Sequence, residues 1–569
     1  MEYRWLKKEN IKPIPELLAH SADIMNRKTA ICYEGRSISY KELFKKCIQL
    51  ARFIKFHSYP GDRIAIFMPN IPQFIIAYYA TLMAGRIAVP INIVSIGGEL
   101  KKKRVTEIKI TDEIRSQLVD TRPSIIFMAD FLYPIFVQTE VDWPCVRVVA
   151  SPKEWLPTIK KILYPFYARR RGRLVKNPSR CVSFTQALKV RFFIGNELNF
   201  SKISPNNIAN LQPTGGTSGI WKMAMLTHKN LVVNCLQIRE RFGDLLSYGK
   251  EIILGALPLC HSYGLAVCMN MTLLSLHGKL VLVPEFTPEK TAKLIKKNKI
   301  TIFPGINRMY QAIVDKELSK TYFKSLKFFI SGAGSISQNI RTGFKKLTGG
   351  ALIMDGYGLS EASPVVSVTL PGDLVGLDGE TGNLIGRPLP ETKIKICDEK
   401  GNELPSGEAG EIVVSGDQIM IGYYNNPKET DEVFDGNGWL RTGDIGYTDH
   451  NGCLHFVDRL KDMIKVMGEN VYPSRIEKEL IKNPAISEAI VVGMPDPKMD
   501  ETPVAVVVLK TKADDIYNSE TDIMLRLKAD SALGRYYLPS KIIIMDSLDE
   551  FKNIAGKIYK YKVKEFLLK

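Results

Sequence analysis

The stretch TGGTSGIWK (214–222) sets Gly215, Gly216 and Gly219 among the hydroxyl residues Thr214, Thr217 and Ser218, with Lys222 three positions on. Glycine allows backbone torsions and close approaches that a Cβ forbids. Successive N–H groups, joined by hydroxyls and an ammonium, can then surround an anion. By composition this is a phosphate cradle, although the G-x-x-x-x-G-K-[ST] spacing of a P-loop is absent. A Gly/Ser/Thr surface turn has the same composition, so the stretch alone leaves both readings open.

Further polar motifs follow along the chain: SGAGSIS (331–337) after the strand-like LKFFI, DGYGLSEASPVV (355–366) after ALIM, RTGDIGY (441–447), DRLKDMIKVMGENVYPSRIE (458–477) and NIAGKIYK (553–560). Each alone reads as a turn. In this order and at these spacings they resemble the adenylate-forming superfamily, which includes acyl-CoA synthetases, luciferases and the adenylation domains of peptide synthetases. The resemblance runs from about Pro15 to Lys560.

The resemblance implies a two-step reaction. A carboxylate joins the α-phosphoryl group of ATP with loss of pyrophosphate, and a thiol, here that of CoA, then displaces AMP. Negative charge builds on the phosphoryl oxygens in the first step, so positioning and electrostatics carry it. Thr214–Gly219 with Lys222 match the loop that cradles the β- and γ-phosphates. Glu361 matches the glutamate that binds Mg²⁺ and Thr214 the hydroxyl that supports the same ion, a hard cation that takes oxygen ligands. Tyr357 would stack on adenine, with Gly332, Ala333 and Gly334 as the opposite wall. Asp355, Gly356, Gly358, Leu359 and Ser360 complete that nucleotide-binding motif.

Asp444 matches the aspartate that accepts from both ribose hydroxyls, a task for an ionised carboxylate. Arg459 matches the arginine that reaches the ribose or α-phosphate. Lys557 matches the lysine that bridges the substrate carboxylate and the α-phosphate, where a compact ammonium fits. Lys461 matches a hinge about which the small domain rotates after adenylation, withdrawing Lys557 and bringing up KVMGEN (465–470). Lys465 and Gly468 would then meet CoA, Gly468 leaving room for the pantetheine arm. By residue type alone Glu361 and Lys461 are ordinary solvated charges and Tyr357 an ordinary core residue; the motif context assigns them these roles.

These motifs need elements to hold them. From about Ala30 to Leu440, short apolar runs such as RIAIFMP, SIIFMAD, KLVLVPE and ITIFPG alternate with amphipathic segments such as YKELFKKCIQLARFIKF (40–56). That alternation predicts an α/β fold, a parallel sheet with helices on its faces. From Asn383 to Val414 shorter runs are separated by the turn sequences DEKGNE and PSGEAG, which predict an antiparallel β unit. After DRLKD (458–462), helical SRIEKELIKN and strand-like EAIVVGMP, VAVVVLK and LPSKIIIMDS predict a small α+β module. The expected organisation is an N-terminal adenylation domain of α/β subdomains plus a β unit over 1–460, and a mobile C-terminal domain over 461–569.

A chain of 569 residues exceeds the size at which one core keeps growing. Its 45% hydrophobic content is that of a globular protein and excludes a disordered one. The net charge of +18 suits anionic partners without choosing among them; the motifs give no reason to expect nucleic acid. Nine cysteines lie singly, without C-x-x-C spacing, and read as reduced thiols, not a disulfide frame or zinc site. The N-terminus MEYRWLKKENIKPIPELLAH has no apolar h-region, and runs such as IPQFIIAYYATLMAG are too short to span a bilayer. A cytoplasmic location is expected.

The segment EWLPTIKKILYPFYARRRGR (154–173) and the wording LQPTGGTSG resemble bacterial long-chain fatty acyl-CoA synthetases. PLCHSYGL (258–265) and FPGINRMY (303–310) match segments lining the acyl pocket, with His261 near its mouth, a catalytic candidate. A long apolar tunnel suits a long chain, since each buried CH₂ contributes roughly 0.8 kcal/mol. Segment 154–173 also has a physical reading of its own. Trp155, Ile159, Ile162, Leu163, Phe166 and Tyr167 fall near helical spacing, and ARRRGR follows. A basic helix with aromatics can lie on the anionic inner face of a membrane; it can equally pack on its own domain with a solvated basic end. Pro165 would kink it.

Some positions depart from the family pattern. Trp221 and Met223 stand where proline and glycine flank the loop lysine, Pro213 replaces the tyrosine before the loop, and Ala555 replaces a hydroxyl residue before Gly-Lys. GGELKKKRVTEIKI (97–110) reads as an insertion. Three functions remain open on the sequence: a long-chain acyl-CoA synthetase, with medium-chain acids as the next option; a ligase that serves a carrier protein, stops at the adenylate or takes another carboxylic acid; and a non-catalytic acyl-binding protein on this fold. The oligomeric state, homodimer included, is not given by the sequence.

Overall fold

The structure, a computed structural model, describes residues 11–568 with the exception of 174–179, 190–197, 215–220, 333, 335, 375–383, 511–518, 531–532 and 553–557. The amphipathic run at 40–56 is a helix, Tyr40–Phe56, started by Ser39, whose hydroxyl accepts from the Glu42 N–H at 3.1 Å. Such a cap satisfies a donor that the first turn leaves orphaned. Tyr40, Leu43, Cys47, Leu50, Ala51 and Ile54 face inward, the three-to-four spacing of a helix with one apolar stripe. The run after Ile71 is the helix Pro72–Met83, buried along its whole length. Among the described residues no helix is long and apolar enough to cross a membrane.

The chain divides into two compact units. The first takes residues up to 216, 221–393 and 415–438. One of its sheets runs in the order Val182–Ser183, Val146–Ala150, Ile125–Ala129, Arg63–Phe67, Ile87–Pro90, Ile208–Thr214, Lys222–Thr227. Every pair in it is parallel except the last. Another sheet carries the parallel run Thr29–Tyr33, Lys279–Leu282, Ile252–Gly255, Ile302–Gly305, Phe328–Ser331, Leu352–Gly358. Antiparallel strands flank that run: Arg36–Ser39 at one side, and Val365–Val368 followed by Leu384–Pro388 at the other. The α/β class read from the alternation is the class observed.

The insertion at 97–110 forms the short helix Gly97–Lys102 and a turn at Val105–Glu107, and it buries Val105 and Ile108 in the core beside the first sheet. Met223 differs from its expected setting. It is not a loop residue: it lies in the strand Lys222–Thr227, opposite Pro213, with its side chain in the same core. The helix Thr158–Arg170 continues through Pro165.

The second unit takes residues 394–414 and 439–569. Gly410–Ser415, Leu440–Thr448 and Leu454–Arg459 pair antiparallel. The module that follows has a sheet in the order Glu469–Val471, Ile464–Val466, Asp500–Leu509, with Ile486–Asp496 and Lys541–Met545 on either side of the last. Helices Pro473–Ile481 and Glu520–Asp530 supply Ile476, Leu480, Ile523 and Leu527 to its core. None of the nine cysteines is in a disulfide, and all but Cys145 and Cys181 are buried.

Candidate active site

In the first unit, Thr214 ends one strand and Lys222 begins the next, and the two are register partners across the antiparallel pair. The glycine-rich stretch is therefore a connection whose two ends are clamped together. Gly215, Gly216, Thr217, Ser218 and Gly219 lie outside the described residues, as do Ala333, Ala555 and Lys557.

Lys222 forms an ion pair with Glu429, and its Nζ stands 5.0 Å over the ring of Tyr423. Tyr423 in turn donates its hydroxyl to Glu361 Oε1 at 2.9 Å. Burial, and next the Glu361 charge, push the Tyr423 phenol upward, so it stays a donor at any physiological pH. The segment 421–424 is held by the strand that starts at Lys222: Ile421 N–H donates to Met225 O at 3.1 Å and Tyr424 N–H to Met223 O at 2.9 Å. Glu361 itself sits in the turn Ser360–Ala362, whose Ser360 hydroxyl meets that of Ser262 at 3.1 Å. One strand thus brings together Lys222, Tyr423 and Glu361. Tyr423 and Glu429 were not among the residues singled out from sequence; only the turn-rich wording GYYNNPKET (422–430) marks them.

His261 follows the strand Ile252–Gly255 and precedes the helix Gly264–Ser275. Its side chain is exposed, with protein packed closely around it. Burial lowers its pKa, so it is neutral at pH 7, and its Nδ1 accepts from the Tyr263 N–H at 3.3 Å. Gly332 packs against Tyr263: a Cβ there would fall 2.5 Å from the ring. Gly334, at φ +124°, follows in the same loop. Asp355 is buried beneath that loop, ion-paired with Arg341 and accepting from the Ile336 N–H at 3.0 Å. Burial raises its pKa and Arg341 opposes the rise. Gly356, Tyr357 and Gly358 continue the same strand, Leu352–Gly358, with Leu359 and Ser360 leading from it to Glu361.

In the second unit, Asp444 and Arg459 are register partners on adjacent strands, with Arg459 Nε 3.2 Å from Asp444 Oδ1. Asp444 is buried. Lys461 lines a cleft of about 160 Å³ with Gly493, Tyr559 and Lys560. Lys465 pairs with Glu399. Gly468 and Met467 form the two-residue turn between Ile464–Val466 and Glu469–Val471, at φ +83° and +51°. A turn with both central residues at positive φ selects glycine, and a Cβ on Gly468 would meet nothing within 4 Å.

The family described as AMP-binding enzyme matches residues 18–424, and the AMP-binding enzyme C-terminal domain matches residues 475–557. The chain is 34% identical over 562 residues to a long-chain-fatty-acid–CoA ligase of Bacillus subtilis, covering 97% of this chain and 94% of that one. It is 34% identical over 514 residues to a protein of the same name from Escherichia coli O6:H1, covering 89% and 85%. Among solved structures, ATP-bound MatB from Rhodopseudomonas palustris superposes with a TM-score of 0.75 at 26% identity, covering 97% of this chain and 98% of that one. The amide bond synthetase McbA from Marinactinospora thermotolerans, at 24% identity, shares the fold with a TM-score of 0.77 over 98% and 100% of the two chains. With Lys222, Tyr423 and Glu361 gathered around one strand and Asp444 facing Arg459 on another pair, the chain belongs to the AMP-binding enzyme family, the adenylate-forming enzymes.

Proposed function

We propose that this chain activates a long-chain fatty acid with ATP and passes the acyl group to CoA. A carboxylate oxygen of the acid bonds to the α-phosphorus while the bond from that phosphorus to the pyrophosphate oxygen breaks. The thiol sulfur of CoA then bonds to the acyl carbon, AMP leaves, and the thiol proton passes to solvent. Similarity over nearly the full length to ligases of that name supports the substrate. The observation that carries the chemistry is the clamped loop: Thr214 opposite Lys222, with Glu361 reached through Tyr423.

Lys222 and the loop 215–219 hold the β- and γ-phosphates. Tyr357 and the loop beginning at Gly332 hold adenine, Asp444 the ribose hydroxyls, and Arg459 the ribose or α-phosphate. Lys557 neutralises charge between carboxylate and α-phosphate, and Lys461 is the hinge of a C-terminal domain over 461–569. Lys465 and Gly468 serve CoA in the second step. His261 stands at the mouth of the acyl pocket.

Glu361 and Thr214 would hold Mg²⁺. Their oxygen donors suit a hard cation that is otherwise bound by substrate phosphates and water. When bound, it neutralises phosphate charge. The protein acts in the cytoplasm in peripheral contact with the anionic inner face of a membrane.

A panel of acids of increasing chain length, each with CoA or a carrier protein as acceptor, tests the reading. Acyl-CoA formed best from long acids is the expected result; transfer to the carrier protein alone would overturn the CoA assignment.

A further inference from the structure

The helix Thr158–Arg170 carries its apolar face on the outside. Ile159, Ile162, Leu163 and Phe166 recur at i, i+3, i+4 and i+7, and they are 73, 67, 56 and 75% exposed. That spacing normally marks the stripe turned toward a core. The face turned to the protein instead has buried Ala168 and half-buried Tyr164. Trp155, which the sequence grouped with the row, is not part of it: it is buried in the preceding turn, 4.7 Å below the Arg36 guanidinium.

The helix is fixed at both ends. Lys160 donates to Glu34 O at 3.0 Å and pairs with the Glu34 carboxylate, while Arg171 reaches Glu285 at 3.7 Å. The row is therefore presented by a set platform. Positive charge gathers at its C-terminal end. Arg169 and Arg170 are exposed at its C-terminal end. The exposed cations Lys102, Arg104 and Lys103, the last paired with Glu99 at 3.1 Å, lie beside them, where the Val105 N–H donates to Gly172 O at 3.4 Å.

We propose that this face docks on an anionic bilayer, the four apolar side chains entering below the headgroups and the basic rim meeting the lipid phosphates. The proposal rests on the peripheral membrane contact stated above and names the surface that makes it. An in-plane helix of this kind sinks its apolar face about 5–10 Å into the headgroup boundary, and apolar burial and attraction to anionic lipid add. A second copy of the chain on the same face would oppose two rims of like charge.

The test is sedimentation of the full chain with vesicles of phosphatidylcholine and phosphatidylglycerol in equal parts, against phosphatidylcholine alone, at low and high salt. The expected result is binding to the anionic vesicles that weakens with salt and falls at least tenfold in the Ile162→Asp, Phe166→Asp double variant. Pyrophosphate release with decanoate in vesicle-free buffer stays at the parent level in that variant. Phe166→Trp gives a positive signal: its added emission shifts to the blue and is quenched by brominated acyl chains when anionic vesicles are present.

Undiminished binding of the double variant overturns the helix assignment and leaves the peripheral reading standing. Failure of the parent to bind anionic vesicles overturns both. A parent dimer that the double variant splits, without lipid binding, gives the face to a second copy and overturns the proposal.

Discussion

The Tyr423 hydroxyl donates to Glu361 Oε1 at 2.9 Å, so the carboxylate expected to hold Mg²⁺ is oriented by a buried phenol. A hydrogen bond to a charged group contributes about 1.5–3 kcal/mol. Tyr423→Phe should raise the Mg²⁺ concentration for half-maximal pyrophosphate release about tenfold or more, with maximal turnover recovered at high Mg²⁺. An unchanged Mg²⁺ titration would remove Tyr423 from the site.

Lys222 is held by Glu429, a carboxylate standing where a phosphate of ATP is proposed to bind. ATP must displace it. Glu429→Gln should therefore lower KM for ATP about two- to fivefold, the scale of a partly exposed pair, with kcat little changed. Steady-state kinetics decides, and a raised KM would mean that Glu429 positions the lysine and does not compete for it.

Met223 is in the core, so bringing the loop closer to the common family wording carries a cost. Deleting a buried methionine side chain costs about 2–5 kcal/mol even when alanine replaces it. Met223→Gly should lower the Tm markedly, and Trp221→Pro much less. Equal thermal shifts would contradict the strand placement.

Burial pushes the Glu113 carboxyl up to about 7, against hydrogen bonds from Asn92 at 2.6 Å and Gln117 at 3.2 Å. The folded protein then binds this proton more tightly than the unfolded chain does. The associated stability is complete below the unfolded pKa of about 4.3 and is lost as pH rises through 7, a change of about 4 kcal/mol at most. Glu113→Gln should stabilise the protein relative to the parent at pH 8 and show a much smaller gain at pH 5. Thermal unfolding at the two pH values checks the sign.

Gly468 has two reasons to be glycine, the turn it makes and the pantetheine path proposed for it. Asparagine tolerates left-handed torsions, so Gly468→Asn should fold like the parent. On the path reading it still forms adenylate but loses the thioester step. Lys557→Ala should show the reverse, losing about 10²–10³ in adenylation while converting supplied acyl-AMP with CoA at near the parent rate. A Gly468→Asn variant with full thioester activity would leave the turn as the sole reason.

Much of the fold was legible because periodicity is local. The run 40–56 is the helix it promised, and strands alternating with helices gave parallel sheets. Pairing is not local. Met223 read as loop because nothing nearby shows that Lys222 opens a strand opposite Pro213 and Thr214. Tyr423 lies 62 residues from Glu361, and Glu429 lies 207 from Lys222, so no spacing announces either. For the helix at 158–170 the spacing was visible, but which face would meet water depends on what Ala168 packs against, and only the structure supplies that.

Pyrophosphate release with ATP, Mg²⁺ and palmitate, measured with and without CoA, decides whether the chain activates a long-chain acid. Acid-dependent pyrophosphate with palmitoyl-AMP is expected when CoA is absent, and palmitoyl-CoA, AMP and pyrophosphate in equal amounts when it is present. Palmitate bound without any pyrophosphate released would contradict that activation and leave a non-catalytic acyl-binding protein on this fold.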